Sequence, residues 1–345
     1  MSTVSVCIST FNRKDKIRRC IESLIMQSYT DFDIVVVDNA SSDGTRDVLL
    51  ELRSYIGDKL NIVFYAAPES NAMKTINRSF RESSGQYLLV MDDDAYMIEP
   101  NTLSHLVDVM EKNPNASIVG SNVMTPNTGM WQMPIRNIDG EFFTPEEISQ
   151  LDVVHYFEFH GACALFRRDM VMMANPEGPY DESFIIYMNE LDLSTKMLTL
   201  GYDVLFDSKA MVYHDGVGDT NACNNRVYHF MHNYNTVLTR NFRGIFKRMK
   251  AVTLHTCMSG GYYLERIVFH KTCSLTRIPS YLYLVLKVWI QGMYRSVWPD
   301  ECHVFENSYK QYVFEESMYN GFKQCIKNRV FWLSKKESGT AKGIR

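Results

Sequence analysis

Tyr87-Leu88-Leu89-Val90-Met91-Asp92-Asp93-Asp94 is the stretch on which the reading of this chain turns. Five apolar residues behind the turn-like Ser84-Gly85 form a short aliphatic run of the kind that becomes a buried strand. Three carboxylates then close it. Side chains alternate along a strand, so Asp92 and Asp94 are expected on one face and Asp93 on the other. Two hard oxygen donors at the carboxyl end of a buried strand suit a divalent cation held against a phosphate-bearing ligand. The competing reading is an acidic loop, or the N-cap of a helix over residues 99–110.

The preceding residues supply a context for the triplet. Val4-Ser5-Val6-Cys7-Ile8-Ser9-Thr10 reads as a strand that stops at Phe11-Asn12-Arg13. Ile17, Cys20, Ile21, Leu24 and Ile25 follow at helical spacing and mark one apolar face. Asp33-Ile34-Val35-Val36-Val37 is continuous and β-branched, and ends at Asp38-Asn39. Strand, helix and strand make a βαβ unit, which forces a parallel sheet. A helix from Thr45 and a strand from Leu60 continue the alternation. Ligands of such sheets bind past the carboxyl ends of the strands, where Thr10, Phe11, Asn12, Arg13, Asp38, Asn39, Asp92, Asp93 and Asp94 gather. The chain has neither G-x-G-x-x-G nor G-x-x-x-x-G-K-[ST], which argues against a dinucleotide oxidoreductase and a P-loop nucleotidase. Asp38 suits a ribose or base edge, and the phosphates are left to a metal.

Over Val4 to Arg13, Val35 to Gly44 and Leu88 to Asp94 the chain resembles the nucleotide-binding half of the GT-A inverting glycosyltransferases of family 2. Its later segments look most like the rhamnosyltransferase-type branch, and the resemblance runs from about residue 3 to residue 243. It implies an α/β fold, a GT-A Rossmann-like, mostly parallel sheet flanked by helices. Asp38 would contact the nucleoside, and Asp92 and Asp94 would be the D-x-D pair on ribose and metal. The glycine-rich stretch usual before the triplet corresponds to residues 69–78, which keep Asn77, on the donor side, but lack the glycines. His160 to Arg168 resembles the small-residue strand beneath the donor, ending in an Arg pair. The family's E-D-x-D-L run corresponds to Asn189-Glu190-Leu191-Asp192-Leu193, so Glu190 inherits the place of the catalytic base, with Asp192 the other candidate. Related sequences carry a metal-completing histidine after a later strand, and His214 stands in that place. The implied cofactor is Mn²⁺ or Mg²⁺. The implied reaction moves a hexose from a UDP- or dTDP-linked donor to a hydroxyl of a glycan, lipid-linked or small-molecule acceptor. A carboxylate takes the acceptor proton and one displacement inverts the anomeric centre.

The residues themselves weigh Glu190 against Asp192. Residues 193–200 read as a helix stopped by Gly201, which makes Asn189 the natural N-cap and Asp192 its N3 residue. An acidic group there serves the helix start, worth about 0.3–1 kcal/mol. Positions 190 and 192 point about 200° apart, so one acceptor hydroxyl meets only one of them. His155, His160, His229 and His232 read as packing or surface residues. A non-catalytic sugar-nucleotide or glycan-binding relative would keep the pocket without a base. A sugar-phosphate nucleotidyltransferase would need a glycine-rich loop with a lysine or arginine after the first strand, and residues 10–13 do not supply it.

With 345 residues there is room for a catalytic domain over 1–243, split into a nucleotide-binding half (1–98) and an acceptor half (99–243), and a mainly α-helical extension over 244–345. The 8 cysteines contain no C-x-x-C and read as reduced core residues. A net charge of −4 conceals a basic C-terminal region, where residues 240–345 carry 18 Lys/Arg against 7 Asp/Glu. Within it, residues 278–297 are mostly apolar, with Lys287, Gln291 and Arg295 along one polar stripe. Charges at its centre argue against a membrane span. Packing on the catalytic domain, or peripheral contact as an amphipathic helix at a membrane surface, are the two remaining readings. No nucleic-acid motif is present. Met1 leads directly into the first strand-like run, so a cytoplasmic protein is expected.

Overall fold

Strands that are apolar on both sides end up covered on both sides. β1 (Val4–Thr10), β2 (Phe32–Asp38), β3 (Leu60–Phe64) and β4 (Tyr87–Asp92) run parallel, in the order β3-β2-β1-β4. Helices α1 (Lys14–Ile25), α2 (Thr45–Ile56) and α3 (Ala72–Glu82) connect them. α1 buries Ile17, Cys20, Ile21 and Leu24, the stripe marked by its periodicity, in a core shared with Val4, Val6, Ile8 and Leu89. The register sets Thr10 opposite Asp38 and Ser9 opposite Asp92. Three strands therefore end level. This computed structural model describes residues 2–65, 71–126, 143, 145–151, 153–216, 225–269, 278–299, 315 and 318.

After β4 come β5 (Ala95–Met97), α4 (Thr102–Lys112), β6 (Ala116–Met124), α5 (Pro145–Gln150), β7 (Val153–His155) and β8 (Cys163–Arg167). α6 (Arg168–Ala174), α7 (Asn189–Thr199) and β9 (Asp203–His214) complete this part. The sheet continues β4-β8-β6-β9-β5, with β7 on β9. β1, β2, β3, β4, β6 and β9 run one way, and β5, β7 and β8 run the other. The result is the mostly parallel, helix-flanked sheet expected from the sequence. Arg167 fastens β8 through the carbonyls of Met110, Asn113 and Ala116, and Arg168 through Gly85 O and Ser83 Oγ.

Two local expectations are corrected. β4 ends at Asp92, and Asp93-Asp94 form a turn rather than more strand, because the chain reverses into β5 to pair with β9. α7 has no side-chain cap: Met188 is its N-cap residue, so Asn189 is the first helical residue and Asp192 the fourth. Asp192 thus stands one position past N3, and its N–H bonds to Met188 O at 2.9 Å. Tyr187 and Met188, just before α7, both have left-handed backbone, with φ of 69° and 66°.

Helices α8 (Asn225–Asn241), α9 (Ile245–Phe269) and α10 (Ile278–Val297) form a second compact unit. The division falls between residues 219 and 220, so α8 belongs with the C-terminal helices, earlier in the chain than the expected boundary at 243. Tyr281 donates to Gly260 O at 2.7 Å, and Asn235 to Thr256 Oγ1 at 3.0 Å. Among the described residues no helix is long and apolar enough to cross a membrane. Cys7, Cys20, Cys163 and Cys257 are free thiols, the first three buried, and burial pushes Cys7 and Cys163 up to about 12.

Gly85, at the entrance to β4, touches the first strand: a Cβ there would lie 2.5 Å from Ser5 N. That neighbour is backbone and cannot turn aside, so Gly85→Ala is expected to destabilise by about 1–3 kcal/mol. Urea unfolding would show it as a lowered midpoint at unchanged slope, and an unmoved midpoint would count against this close approach.

Candidate active site

The level strand ends bring the first loops together. Asn12, at φ 53°, donates its N–H to Ser41 Oγ (2.9 Å) and accepts Ser42 N–H on Oδ1 (2.8 Å), tying the loop after β1 to the loop after β2. Asn39 N–H donates to Thr10 O at 2.9 Å, and buried Asp38 accepts Ser41 N–H at 3.2 Å. Thr10 donates Oγ1–H to Asp93 Oδ2 at 2.7 Å. Burial nevertheless pushes the Asp93 carboxyl up to about 7. Phe11 projects from this edge, 48% exposed. Thr10, Phe11, Asn12, Arg13, Asp38, Asn39 and the triplet thus share one edge of the sheet.

β9 delivers the histidine. Its pairing with β5 sets His214 opposite Ala95, one residue past the turn, and Asp215 N–H closes onto Asp94 O at 3.0 Å. His214 Nε2 lies 3.0 Å from Asp94 Oδ1 and 3.4 Å from Asp92 Oδ2. One ligand atom from each of Asp92, Asp94 and His214 falls within 4.8 Å of the others. Asp94 Oδ2 also accepts Arg13 Nη1 (2.7 Å) and Lys16 Nζ (3.2 Å). Burial alone would raise Asp94, but the hydrogen bond and charge of His214, with Arg13 and Lys16, hold its carboxyl well below the usual range. Burial would lower His214, yet Asp94 and Asp92 raise it. Gly216 packs on the imidazole, and Arg19 pairs with Asp215 while lying 4.1 Å over the Tyr96 ring. Two carboxylate oxygens and an imidazole nitrogen fit a hard divalent cation such as Mn²⁺ or Mg²⁺ that takes its remaining ligands from phosphate and water.

Glu190 reaches the same region from α7. The His160 ring meets His214 edge-on, with centroids 5.6 Å apart, and a Cβ on the next residue, Gly161, would lie 2.2 Å from Glu190 Oε1. His160-Gly161 therefore spans from the histidine of the cluster to Glu190. Burial, aided by the charges of Glu158 and Asp92, pushes Glu190 up to about 7. His160 is pushed down to about 3 by burial, and its Nδ1 accepts Ala162 N–H at 3.0 Å, so a neutral ring carries its proton on Nε2. His160, expected to pack, does so with its ring against the histidine of the cluster. His160 stands three residues before the strand that pairs with β4. Lys16, which carries no motif signal in the sequence, joins the site one helical turn beyond Arg13.

Asp192 is buried in α7. Asn77 is committed elsewhere: its Nδ2 donates to Tyr180 O (2.7 Å) and its Oδ1 accepts Tyr180 N–H (3.2 Å). Gly178, at φ 142°, passes so close that a Cβ would meet the Asn77 amide. The amide expected on the donor side holds the loop before α7. Glu69 and Ser70 of the same stretch lie outside the described residues.

Residues 5–172 match the profile of glycosyl transferase family 2. The match spans 168 of the 345 residues, and over that segment the chain is similar to the family. A glycosyltransferase of Nostoc sp. is 31% identical over 109 residues, 31% of this chain and 33% of that protein. The Escherichia coli UDP-Glc:alpha-D-GlcNAc-diphosphoundecaprenol beta-1,3-glucosyltransferase WfaP is 26% identical over 200 residues, 57% of this chain and 73% of that one. The chain spans 33% to 47% of the length of three of the curated relatives it matches. The mannosyltransferase PcManGT of Pyrobaculum calidifontis, solved with GDP-Man and Mn²⁺, superposes with a TM-score of 0.55 at 16% identity, covering 87% of this chain and 88% of that one. The fold is GT-A.

Asn77→Ala would leave the buried Tyr180 N–H and C=O without partners, each orphaned group costing about 1–3 kcal/mol. The expected result is a lowered thermal midpoint. A midpoint equal to wild type would return Asn77 to the donor side.

Proposed function

We propose that this chain is an inverting hexosyltransferase, moving a hexose from a UDP- or dTDP-linked donor to an acceptor hydroxyl in glycan or glycoconjugate synthesis. The carrying observation is the separation of two charge centres across His160-Gly161, with Asp92, Asp94 and His214 on one side and Glu190 on the other. Asp92, Asp94 and His214 would hold Mn²⁺ or Mg²⁺, which when bound supplies neutralising charge to the leaving diphosphate. Arg13 and Lys16, both on Asp94, keep two further positive charges at that point. Asp38 beside Thr10 offers a buried carboxylate to the nucleoside. Glu190 takes the acceptor proton. A carboxylate near neutrality accepts protons at physiological pH and returns them readily, as a general base requires. A relative that only binds sugars would have no use for a buried carboxylate poised in this way, which favours catalysis. The UDP-glucose in the name of the E. coli relative supports a nucleotide-sugar donor, and its undecaprenol-linked acceptor keeps lipid-linked acceptors in view.

Removing Asp94 takes away a ligand and leaves Arg13, Lys16 and His214 crowded without their shared counterion. Asp94→Ala is expected to abolish Mn²⁺-dependent thermal stabilisation by UDP or dTDP, while His214→Ala weakens it, since water can replace an imidazole. Undiminished stabilisation in Asp94→Ala would sink the metal assignment.

Glu190 works as a base only when deprotonated, so turnover should rise with pH through about 7 and then level. Glu190→Gln should keep donor affinity, lose that pH limb and lower turnover by about 10²–10⁴. Asp192→Asn should retain the limb. Exchanged outcomes in transfer assays would make Asp192 the base.

A further inference from the structure

The sequence pattern of α10 sets Lys287, Gln291 and Arg295 along one polar stripe. In the structure Gln291 and Arg295 bond to side chains of α8, and Lys287, still exposed, lies beside them. Gln291 Oε1 accepts Tyr228 O–H (3.3 Å) and lies 3.2 Å from His232 Nδ1. Arg295 Nη1 lies 2.9 Å from His232 Nε2 and donates to Thr236 Oγ1 at 3.0 Å. Lys287 Nζ sits 5.1 Å over the Tyr228 ring. Tyr281, Val288, Gly292 and Ser296 form the buried side of α10. The arc left outward is apolar and aromatic: Leu286 and Ile290 are exposed, as are Tyr283 at 69%, Tyr294 at 65% and Trp298 at 63%. Outward residues at 283, 286, 290 and 294 keep helical spacing, so they form one continuous strip.

We infer that this outward strip of α10 docks on an anionic lipid surface. Charge favours that occupant. Residues 225–299 contain eleven Lys/Arg and one Asp/Glu, and no acidic residue lies in α10. Large aliphatics with Tyr and Trp among them are the side chains that settle at the headgroup boundary, and nearby Lys/Arg add attraction to anionic headgroups. Position supports it too. Gly260 meets Tyr281, Thr253 meets Trp289 and Val252 packs at Gly292, so α9 and α10 are antiparallel. The start of α9, with Phe246 at 84% exposure and Lys250 exposed, therefore comes beside the Trp298 end of α10, while Lys247 is paired with Glu315. The helix lies along the surface, in keeping with its being too polar to cross it. The strip uses none of the residues assigned to the transfer chemistry, so vesicle binding and donor binding stand or fall independently.

The test is sedimentation of the 345-residue chain with vesicles of phosphatidylcholine alone or mixed with phosphatidylglycerol, at low and high salt. The chain should pellet with the mixed vesicles and less so at high salt. The triple variant Leu286→Ser, Ile290→Ser, Tyr294→Ser should lose about tenfold or more of that binding, because interfacial affinity follows buried apolar area. Its nucleotide-dependent thermal shift, unchanged, would report an intact fold. As a second measurement, brominated acyl chains should quench wild-type tryptophan emission, and Trp298→Phe should lose most of that quenching. The proposal is overturned if the wild-type chain stays in the supernatant with mixed vesicles, or if the triple variant pellets equally. It is also overturned if light scattering shows a wild-type dimer that the triple variant dissolves, since the strip is then an interface between two copies.

Discussion

A strand buried on both faces has little room for a charged side chain at its centre, so its acidic residues collect towards its ends, as Asp33 and Asp38 do in β2. β1, β2 and β4 are such strands, and their register makes them leave at one level. The consequence is a local excess of carboxylates, Asp38 and Asp92 to Asp94, at an edge with few ways to satisfy them. The chain answers with hydrogen bonds from Thr10 and the Ser41 backbone, and with cations from α1. Everything chemical in the molecule follows from managing that concentration of negative charge.

Asp94 shows how the charge is managed. It is nearly buried, and a lone buried carboxylate is costly unless paired. Arg13 and Lys16, at the start of α1, reach one of its oxygens, and the His214 imidazole reaches the other. The same arrangement suits exchange, because a divalent cation entering between Asp92, Asp94 and His214 would take over the neutralising role. Arg13 and Lys16 would then be available to a phosphate beside it. On the other side of His160, burial works in the opposite sense and keeps Glu190 near neutrality.

Features encoded by short runs were legible in the sequence. The apolar periodicity of α1, the β-branched run of β2 and the acidic end of β4 are local, and each appears where its pattern stands. The convergence of Asp92, Asp94 and His214 was reached through family resemblance rather than periodicity. Alternation alone could not show that Asp94 lies in a turn, since what bends the chain there is the pairing of β5 with β9, far along the sequence. The same limit hid the Asn77 clasp on Tyr180 and the contact of His160 with His214. The start of α7 departs from the sequence pattern because Asn189 is a good cap by type, whereas the backbone at Met188 takes a conformation that no side-chain preference announces. For α10 the pattern gave the span and the polar stripe, but not the side that stripe would face.

Tyr187 and Met188 carry one more implication. Left-handed backbone costs a residue with a side chain roughly 1–2 kcal/mol, and here two such residues follow each other without a glycine. The helix they launch positions Glu190 at its second residue. Glycine at either position would relieve the strain and also free the chain to launch the helix at other angles. Tyr187-Met188 is thus a place where selection for a sturdier protein and selection for a well-aimed carboxylate pull apart. A stabilised descendant of this chain would be expected to gain its margin elsewhere.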